Sequence, residues 1–263
     1  MSFDNLFDVK DKVVLVTGGS RGIGEMIAAG FVAKGSKVYI TSRSAKACDE
    51  VATRLNQKGP GQCISIPADL QKQSEINRLA DELKKREQHL DVLINNAGAN
   101  WAEPLDTYSE AGWNKVLNLN ASAPFFLTQA MLPLLTAKGT QENPSRVIMI
   151  GSVDGIRVPI FETFAYSSAK SALHHVSRHL SAHLAPRGVT VNVIAPGPFE
   201  SKMMAETMKR FGDVIKGSNP LGRIGTPEDI AGTCIYLASR AGAYTNGSTI
   251  VVDGGSLYST ARL

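Results

Sequence analysis

Tyr166-Ser167-Ser168-Ala169-Lys170 sets a phenol and an ammonium four residues apart, a spacing that puts both on one face of a helix. A free tyrosine ionises near pH ~10 and a free lysine near ~10.4, so neither exchanges protons readily at neutral pH. Side by side, the cation favours the phenolate and is expected to lower the pKa of Tyr166. The pair would then serve as acid or base in carbonyl/alcohol chemistry. The same spacing also suits an ordinary surface pair on a helix, so its neighbours in sequence must decide. Ser152 closes the apolar run Ile150-Gly151-Ser152 and offers a hydroxyl for a carbonyl oxygen. Asn120, in Asn118-Leu119-Asn120, is suited to hold a water on a path to Lys170.

A second chemistry-bearing stretch lies near the start. The apolar run Val13 to Val16 leads through Thr17 into Gly18-Gly19-Ser20-Arg21-Gly22-Ile23-Gly24, and a helical pattern follows at once. A strand, a tight glycine turn and a helix start bring backbone N–H groups and a helix dipole against a phosphate. The glycines fall as G-x-x-x-G-x-G, not as the common G-x-G-x-x-G, so a plain strand-to-helix turn remains open on spacing alone.

Elements that can position these residues alternate along the chain. Strands are expected at Val13–Thr17, Lys37–Thr41, Cys63–Ile66, Asp91–Ile94, Arg146–Ile150, Val189–Ile194 and Ser248–Val252. Between them, helical periodicity runs from about Ala45 to Asn56, Ser74 to Arg86, Glu110 to Leu135 (interrupted near Pro124 and Pro133), Phe164 to Ala185, and Pro227 to Ala238 behind Thr226. Such alternation predicts an α/β class protein: one doubly wound Rossmann domain over 1–263, with a seven-stranded parallel sheet flanked by helices on both faces. Ligands of such sheets sit beyond the carboxyl ends of the strands. Gly18 to Gly24, Ser42-Arg43, Asp69-Leu70, Asn95 to Gly98, Ser152 and Pro196-Gly197 all follow strand ends.

With 43% hydrophobic and 20% charged residues, the composition is that of a soluble globular enzyme. The net charge of +4 is spread along the chain with no long basic run, so nucleic acid is not an expected partner. Cys48, Cys63 and Cys234 read as buried thiols of a reducing compartment. No secretory signal and no membrane-length apolar run is visible. His175, His179 and His183 recur at chelating intervals, but no carboxylate or thiol partner is obvious and no metal is expected.

At this point the chain resembles the short-chain dehydrogenase/reductase family over essentially its whole length. The family's T-G-x-x-x-G-x-G turn is Thr17 to Gly24, its N-N-A-G segment Asn95 to Gly98, and its P-G motif Pro196-Gly197. Its catalytic Asn, Ser, Tyr and Lys fall on Asn120, Ser152, Tyr166 and Lys170. The resemblance implies that Tyr166 protonates a carbonyl oxygen as hydride leaves a nicotinamide. Lys170 would bind the nicotinamide ribose, Ser152 orient the carbonyl and Asn120 anchor a relay water. It further implies a cofactor site at Gly18, Ser20, Arg21, Gly22, Ile23, Gly24, Ser42, Arg43, Asp69, Leu70, Asn96, Ala97, Gly98, Tyr166, Lys170, Pro196 and Gly197, with Thr17 and Asn95 linking the central strands.

An enzyme of this kind selective for NAD carries an acid after the second strand, which would repel a 2′-phosphate. Here Ser42-Arg43 stands there, with Arg21 in the glycine turn, so NADP(H) is the expected cofactor. Residues 198–218 would form a substrate lid, with Met203, Met204, Met208 and Phe211 as its apolar face. The family often places a Thr after P-G to touch the carboxamide; Ser201 is the nearest hydroxyl, and Glu200 is a departure.

In finer pattern the chain is similar to 3-oxoacyl-thioester reductases of the rhamnolipid-associated type, through Ala195-Pro196-Gly197, Glu142-Asn143-Pro144 and Ala241-Gly242-Ala243-Tyr244. The similarity implies an NADPH-dependent carbonyl reductase acting on a ketone or acyl thioester, in the first place a 3-oxoacyl thioester on carrier protein or coenzyme A, reduced to the 3-hydroxyacyl product. The alternatives are small ketones, sugars or polyols and, from another class, an idle NADP-binding sensor or scaffold. Dimers or tetramers are the family habit. Ala261-Arg262-Leu263 is a variant of the S-K-L peroxisomal address and would direct the protein there in a eukaryote; otherwise a cytoplasmic protein is expected.

Overall fold

The computed structural model describes residues 3–201 and 204–259, with the backbone alone at 205–208 and 211. In chain order the main elements are β1 (Val13–Thr17), α1 (Gly22–Ala33), β2 (Lys37–Thr41), α2 (Ala45–Asn56), β3 (Gln62–Ser65), α3 (Gln73–Arg86), β4 (Val92–Asn95), α4 (Glu110–Leu117) and α5 (Ala123–Leu135). They continue with β5 (Ser145–Ile150), α6 (Phe164–Leu184), β6 (Val189–Pro196), α7 (Ala205–Ser218), α8 (Pro227–Ala238) and β7 (Thr249–Val252). The seven strands form one parallel sheet in the order β3-β2-β1-β4-β5-β6-β7. Winding reverses between β1 and β4, so their carboxyl ends open the crevice in which such sheets bind ligands.

Apolar side chains alternate across the sheet as a two-residue period requires. Val14 and Val16 face one layer with Ile27, Phe31, Ile230 and Leu237, whereas Val13 and Leu15 face the other with Leu79, Leu83, Leu127 and Met131. Every residue of β1, β4, β5 and β6 is buried, because both faces carry helices. Cys48, Cys63 and Cys234 are free, buried thiols.

Strand ends differ from expectation by one or two residues, in places for visible reasons. Asp91 does not join β4; its carboxylate accepts the Val13 N–H at 2.8 Å and pins the start of β1. The sixth strand runs on through Pro196, and α6 stops at Leu184 before a 3₁₀ turn at Ala185–Arg187. The long helix expected from Glu110 is broken by a π segment at Asn118–Ser122, with no break at Pro133, which lies inside α5. Pro124 occupies the first turn of α5, where its missing N–H costs little. That proline has no proton for the Asn120 carbonyl four residues earlier. The Asn120 amide meanwhile donates to the Val116 carbonyl at 2.9 Å, so the local ladder widens.

Candidate active site

The glycine turn is held from beneath. Thr17 Oγ1 accepts the N–H groups of Asn96 and Ala97 at 2.9 Å each and donates to the Ile94 carbonyl at 3.3 Å, tying the end of β1 to that of β4. Asn96 Nδ2 donates to the Thr17 carbonyl at 2.8 Å and the Gly18 carbonyl at 3.4 Å, so this side chain braces the turn. Asn95, expected to link the strands, instead reaches α5 through Thr128 Oγ1 at 3.2 Å. Gly18 has φ of 65°, and a Cβ on Gly24 would lie 2.3 Å from the Gly18 carbonyl oxygen. Only glycine permits that approach.

The turn leaves the start of α1 open. Ser44 and Ser109 cap α2 and α4, and Asp229 reaches back to the Thr226 N–H at α8. Arg21, at the N-cap of α1, makes no side-chain cap. The first N–H groups of α1, from Gly22, Ile23 and Gly24, are therefore available to an anion. Arg21 and Arg43 are both exposed, and neither guanidinium hydrogen-bonds or ion-pairs with any described residue. Ser42 Oγ lies 3.0 Å from Cys48 Sγ at the end of β2. Asp69 takes the Gln71 N–H at 3.2 Å, beside buried Leu70. An uncapped helix start, tight glycines and two unpaired cations fit a phosphorylated dinucleotide.

Pro196 and Gly197 close the opposite wall. A Cβ on Gly197 would come within 2.6 Å of Asp253 Cβ, so the strand end passes β7 without a side chain. Ser201 packs near the glycine turn: a Cβ on Gly22 would sit 3.1 Å from Ser201 Cβ. Of the expected apolar lid face, Met204 is half-buried, while Met203 and the side chains of Met208 and Phe211 lie outside the described residues, as does Ala261-Arg262-Leu263.

The chemical groups gather where α6 meets the end of β5. Tyr166 is hydrogen-bonded to the side chain of Ser152, whose Oγ also accepts the Asp154 N–H at 3.1 Å. Lys170 is buried, donates from Nζ to the Ile150 carbonyl at 2.7 Å and lies 5.6 Å from the centre of the Tyr166 ring. Asn120, also buried, donates to the Ala99 carbonyl at 2.8 Å as well as to Val116, while its Oδ1 finds no partner among the described residues. Gly98 faces that oxygen without a side chain; a Cβ there would lie 2.5 Å from it.

One electrostatic expectation is corrected. The Tyr166 pKa is not lowered but pushed up to about 12, because burial of the phenol outweighs the Ser152 hydrogen bond, and Asp154 adds to the rise. Burial likewise brings Lys170 down to about 8. The lysine spends its proton on a backbone carbonyl, and at 5.6 Å from the ring its charge does not offset the loss of water around the phenol.

Among the histidines, sequence reasoning weighed His175, His179 and His183 and did not single out His174. His175, His179 and His183 are exposed, with successive ring centres 6.3 and 5.4 Å apart, and among the described residues no set of three metal-ligating side chains converges. His174 is the buried one, directly under Ser152. Its place eight residues beyond Tyr166 was the available signal. Also unforeseen is an aromatic group next to Tyr166: Trp101 and Tyr108 join its cluster, and Tyr108 meets Phe164 edge-on at 5.7 Å.

No helix among the described residues is long and apolar enough to cross a membrane. A family model described as enoyl-(acyl carrier protein) reductase matches residues 18–256. The chain is 44% identical over 251 residues to the rhamnolipids biosynthesis 3-oxoacyl-[acyl-carrier-protein] reductase of Pseudomonas aeruginosa, covering 95% of this chain and 97% of that protein. It is 33% identical to the 3-oxoacyl-[acyl-carrier-protein] reductase FabG of Aquifex aeolicus, over 94% and 98% of the two chains. Among solved structures it superposes on the Pseudomonas aeruginosa RhlG/NADP active-site complex with a TM-score of 0.92, at 44% identity, over 96% of this chain and 98% of that one.

Proposed function

The chain belongs to the short-chain dehydrogenase/reductase family, and on that footing we propose that it is an NADPH-dependent ketone reductase whose substrate is a 3-oxoacyl thioester, reduced to the 3-hydroxyacyl product. The observation that carries the reading is the meeting of Tyr166, Ser152 and Lys170 at the end of β5, in a sheet whose glycine turn leaves a helix start open. NADPH, when bound, supplies a hydride to the carbonyl carbon. Gly18, Ser20, Gly22, Ile23 and Gly24 would hold its pyrophosphate, Arg21, Ser42 and Arg43 its 2′-phosphate, and Asp69 and Leu70 its adenine. Asn96, Ala97, Gly98, Pro196 and Gly197 would line the nicotinamide half, beside Tyr166 and Lys170.

The chain's own residues handle the oxygen and the proton. Ser152 orients the substrate carbonyl through its hydroxyl, and Tyr166 gives its proton to that oxygen as negative charge develops there. The raised pKa suits this role, because a phenol near 12 stays protonated at neutral pH and still yields its proton to the far more basic alkoxide. The proton then returns to Tyr166 past Lys170, and Asn120 Oδ1, buried and without a partner among the described residues, is the acceptor that orders the supplying water.

An acyl chain suits the surroundings. Val158 and Ile160, in the segment between Ser152 and Tyr166, are 92% and 97% exposed, and Ile156 and Phe161 beside them are exposed too. The likeness to two 3-oxoacyl-carrier-protein reductases supports the same substrate class. Residues 198–218 would close over the chain as a lid within a single catalytic domain. A homo-tetramer or dimer would form through α4, α5 and α6.

The test is a panel of small ketones, sugars and 3-oxoacyl thioesters offered with NADPH and followed by loss of cofactor absorbance. Turnover greatest with the thioesters is the expected result. Turnover greatest with sugars would move the substrate class, and tight NADPH binding with no turnover would make the protein a sensor.

A further inference from the structure

Tyr166, Lys170 and His174 stand at i, i+4 and i+8 on α6, one stripe facing the end of β5. Each meets a different atom of the same three residues. Tyr166 bonds to the Ser152 side chain, Lys170 Nζ to the Ile150 carbonyl, and His174 Nε2 accepts the Ser152 N–H at 3.4 Å. The first two contacts belong to the proton chemistry proposed above. The third has no part in it, and His174 is 4% exposed.

The glycines around Ser152 show how close this imidazole comes. A Cβ on Gly151 would fall 2.1 Å from His174 Nε2, and one on Gly155 would fall 3.0 Å from its Cε1. Ser171 Oγ holds the same loop through the Gly155 carbonyl at 2.7 Å. To accept a backbone N–H, Nε2 must keep its lone pair, which puts the ring proton on Nδ1 and leaves the ring neutral. Burial, with Lys170 and Arg178 nearby, favours that form and brings the His174 pKa down to about 4. Ser152 is thus fixed at both ends, its N–H by His174 and its Oγ by the Asp154 N–H.

We propose that His174 is a positioning residue, a neutral imidazole that accepts the Ser152 N–H and so aims the Ser152 hydroxyl at the substrate carbonyl. The role rests on the reductase reading of this site. It touches neither substrate nor cofactor. Its loss acts on kcat, because a serine that swings by a fraction of an ångström still lets substrate enter but no longer holds the reacting geometry.

Two replacements separate positioning from packing. His174→Leu fills similar volume without an acceptor, and His174→Gln restores an acceptor oxygen. We expect His174→Leu to lower kcat about tenfold with KM and the NADPH dissociation constant unchanged, and His174→Gln to recover most of that loss. Wild-type turnover of a 3-oxoacyl thioester is the control for the reductase reading, and its absence would overturn that reading and not this contact. With wild type active, equal kcat in the Leu and Gln variants would overturn the role of His174.

Discussion

The two ends of the crevice are built by opposite means. At the glycine turn, backbone does the shaping: Gly24 lies against the Gly18 carbonyl, and Thr17 and Asn96 hold that backbone from beneath. The side chains offered to a ligand there, Arg21 and Arg43, are exposed and pair with no described residue. Where α6 meets β5, buried side chains do the shaping, and Ser152, Tyr166, Lys170, His174 and Asn120 are committed to one another or to backbone. A binding end can wait for its charge partner in water at little cost. A chemical end must hold polar groups out of water, and each then needs a partner. Changes at the first end should therefore alter which cofactor binds, and changes at the second should alter rate with binding intact.

Tyr166→Phe gives the largest expected break. Removing the acid should lower kcat by about two to four orders of magnitude while NADPH still binds, as read by steady-state kinetics beside a fluorescence titration. A matching loss of NADPH affinity would erase the division between the ends. At the turn, Arg43→Asp replaces a cation by a carboxylate. Loss of a charge-assisted bond, about 1.5–3 kcal/mol, should shift the NADPH-to-NADH ratio of kcat/KM by about tenfold to a hundredfold toward NADH. An unchanged ratio would mean that Arg43 does not read the 2′-phosphate.

Gly24→Ala probes the backbone itself. With the Gly18 oxygen 2.3 Å from the new carbon, the turn must shift, and stability should fall by about 1–3 kcal/mol together with NADPH affinity. Thermal melts with and without NADPH would show both. The mildest test is pH. Lys170, brought down to about 8 by burial, carries its charge below that value and loses it above. kcat/KM for reduction should hold to about pH 8 and then decline, up to tenfold per unit, with no earlier fall from Tyr166, whose pKa lies near 12. A profile flat to pH 10 would leave the Lys170 charge without a role.

How far each end could be read in advance follows from the same contrast. The sheet was legible because strands buried on both faces are continuous apolar runs, and Val13–Thr17 and Lys37–Thr41 keep their expected ends. Thr226-Pro227 marked the start of α8 by residue chemistry, and the structure adds Asp229 as the partner that completes the cap. The glycine turn was visible as a turn because its geometry demands a residue type, but its cofactor role was legible only through the family resemblance. Tyr166, Lys170, Ser152 and Asn120 were found by spacing and resemblance, but their electrostatics were not. The sign of the Tyr166 shift depends on how much water burial removes, and no spacing carries that. The interruption expected near Pro124 falls just before it, at Asn118–Ser122, because the side-chain amide of Asn120 also takes a carbonyl and leaves no periodic trace, and the one expected near Pro133 does not form. His174 was passed over for its exposed neighbours because three evenly spaced histidines look more like a site than one buried histidine in line with Tyr166.

On the proposed reading, the crevice delivers a hydride to the carbonyl carbon of a 3-oxoacyl thioester and a proton to its oxygen. The most direct measurement is a single turnover with NADPH in excess over a 3-oxoacyl thioester, counting cofactor consumed against product identified by mass. One NADPH oxidised for each 3-hydroxyacyl thioester formed is the expected result. NADPH bound but not consumed, or consumed with the 3-oxo group intact in the product, would contradict it.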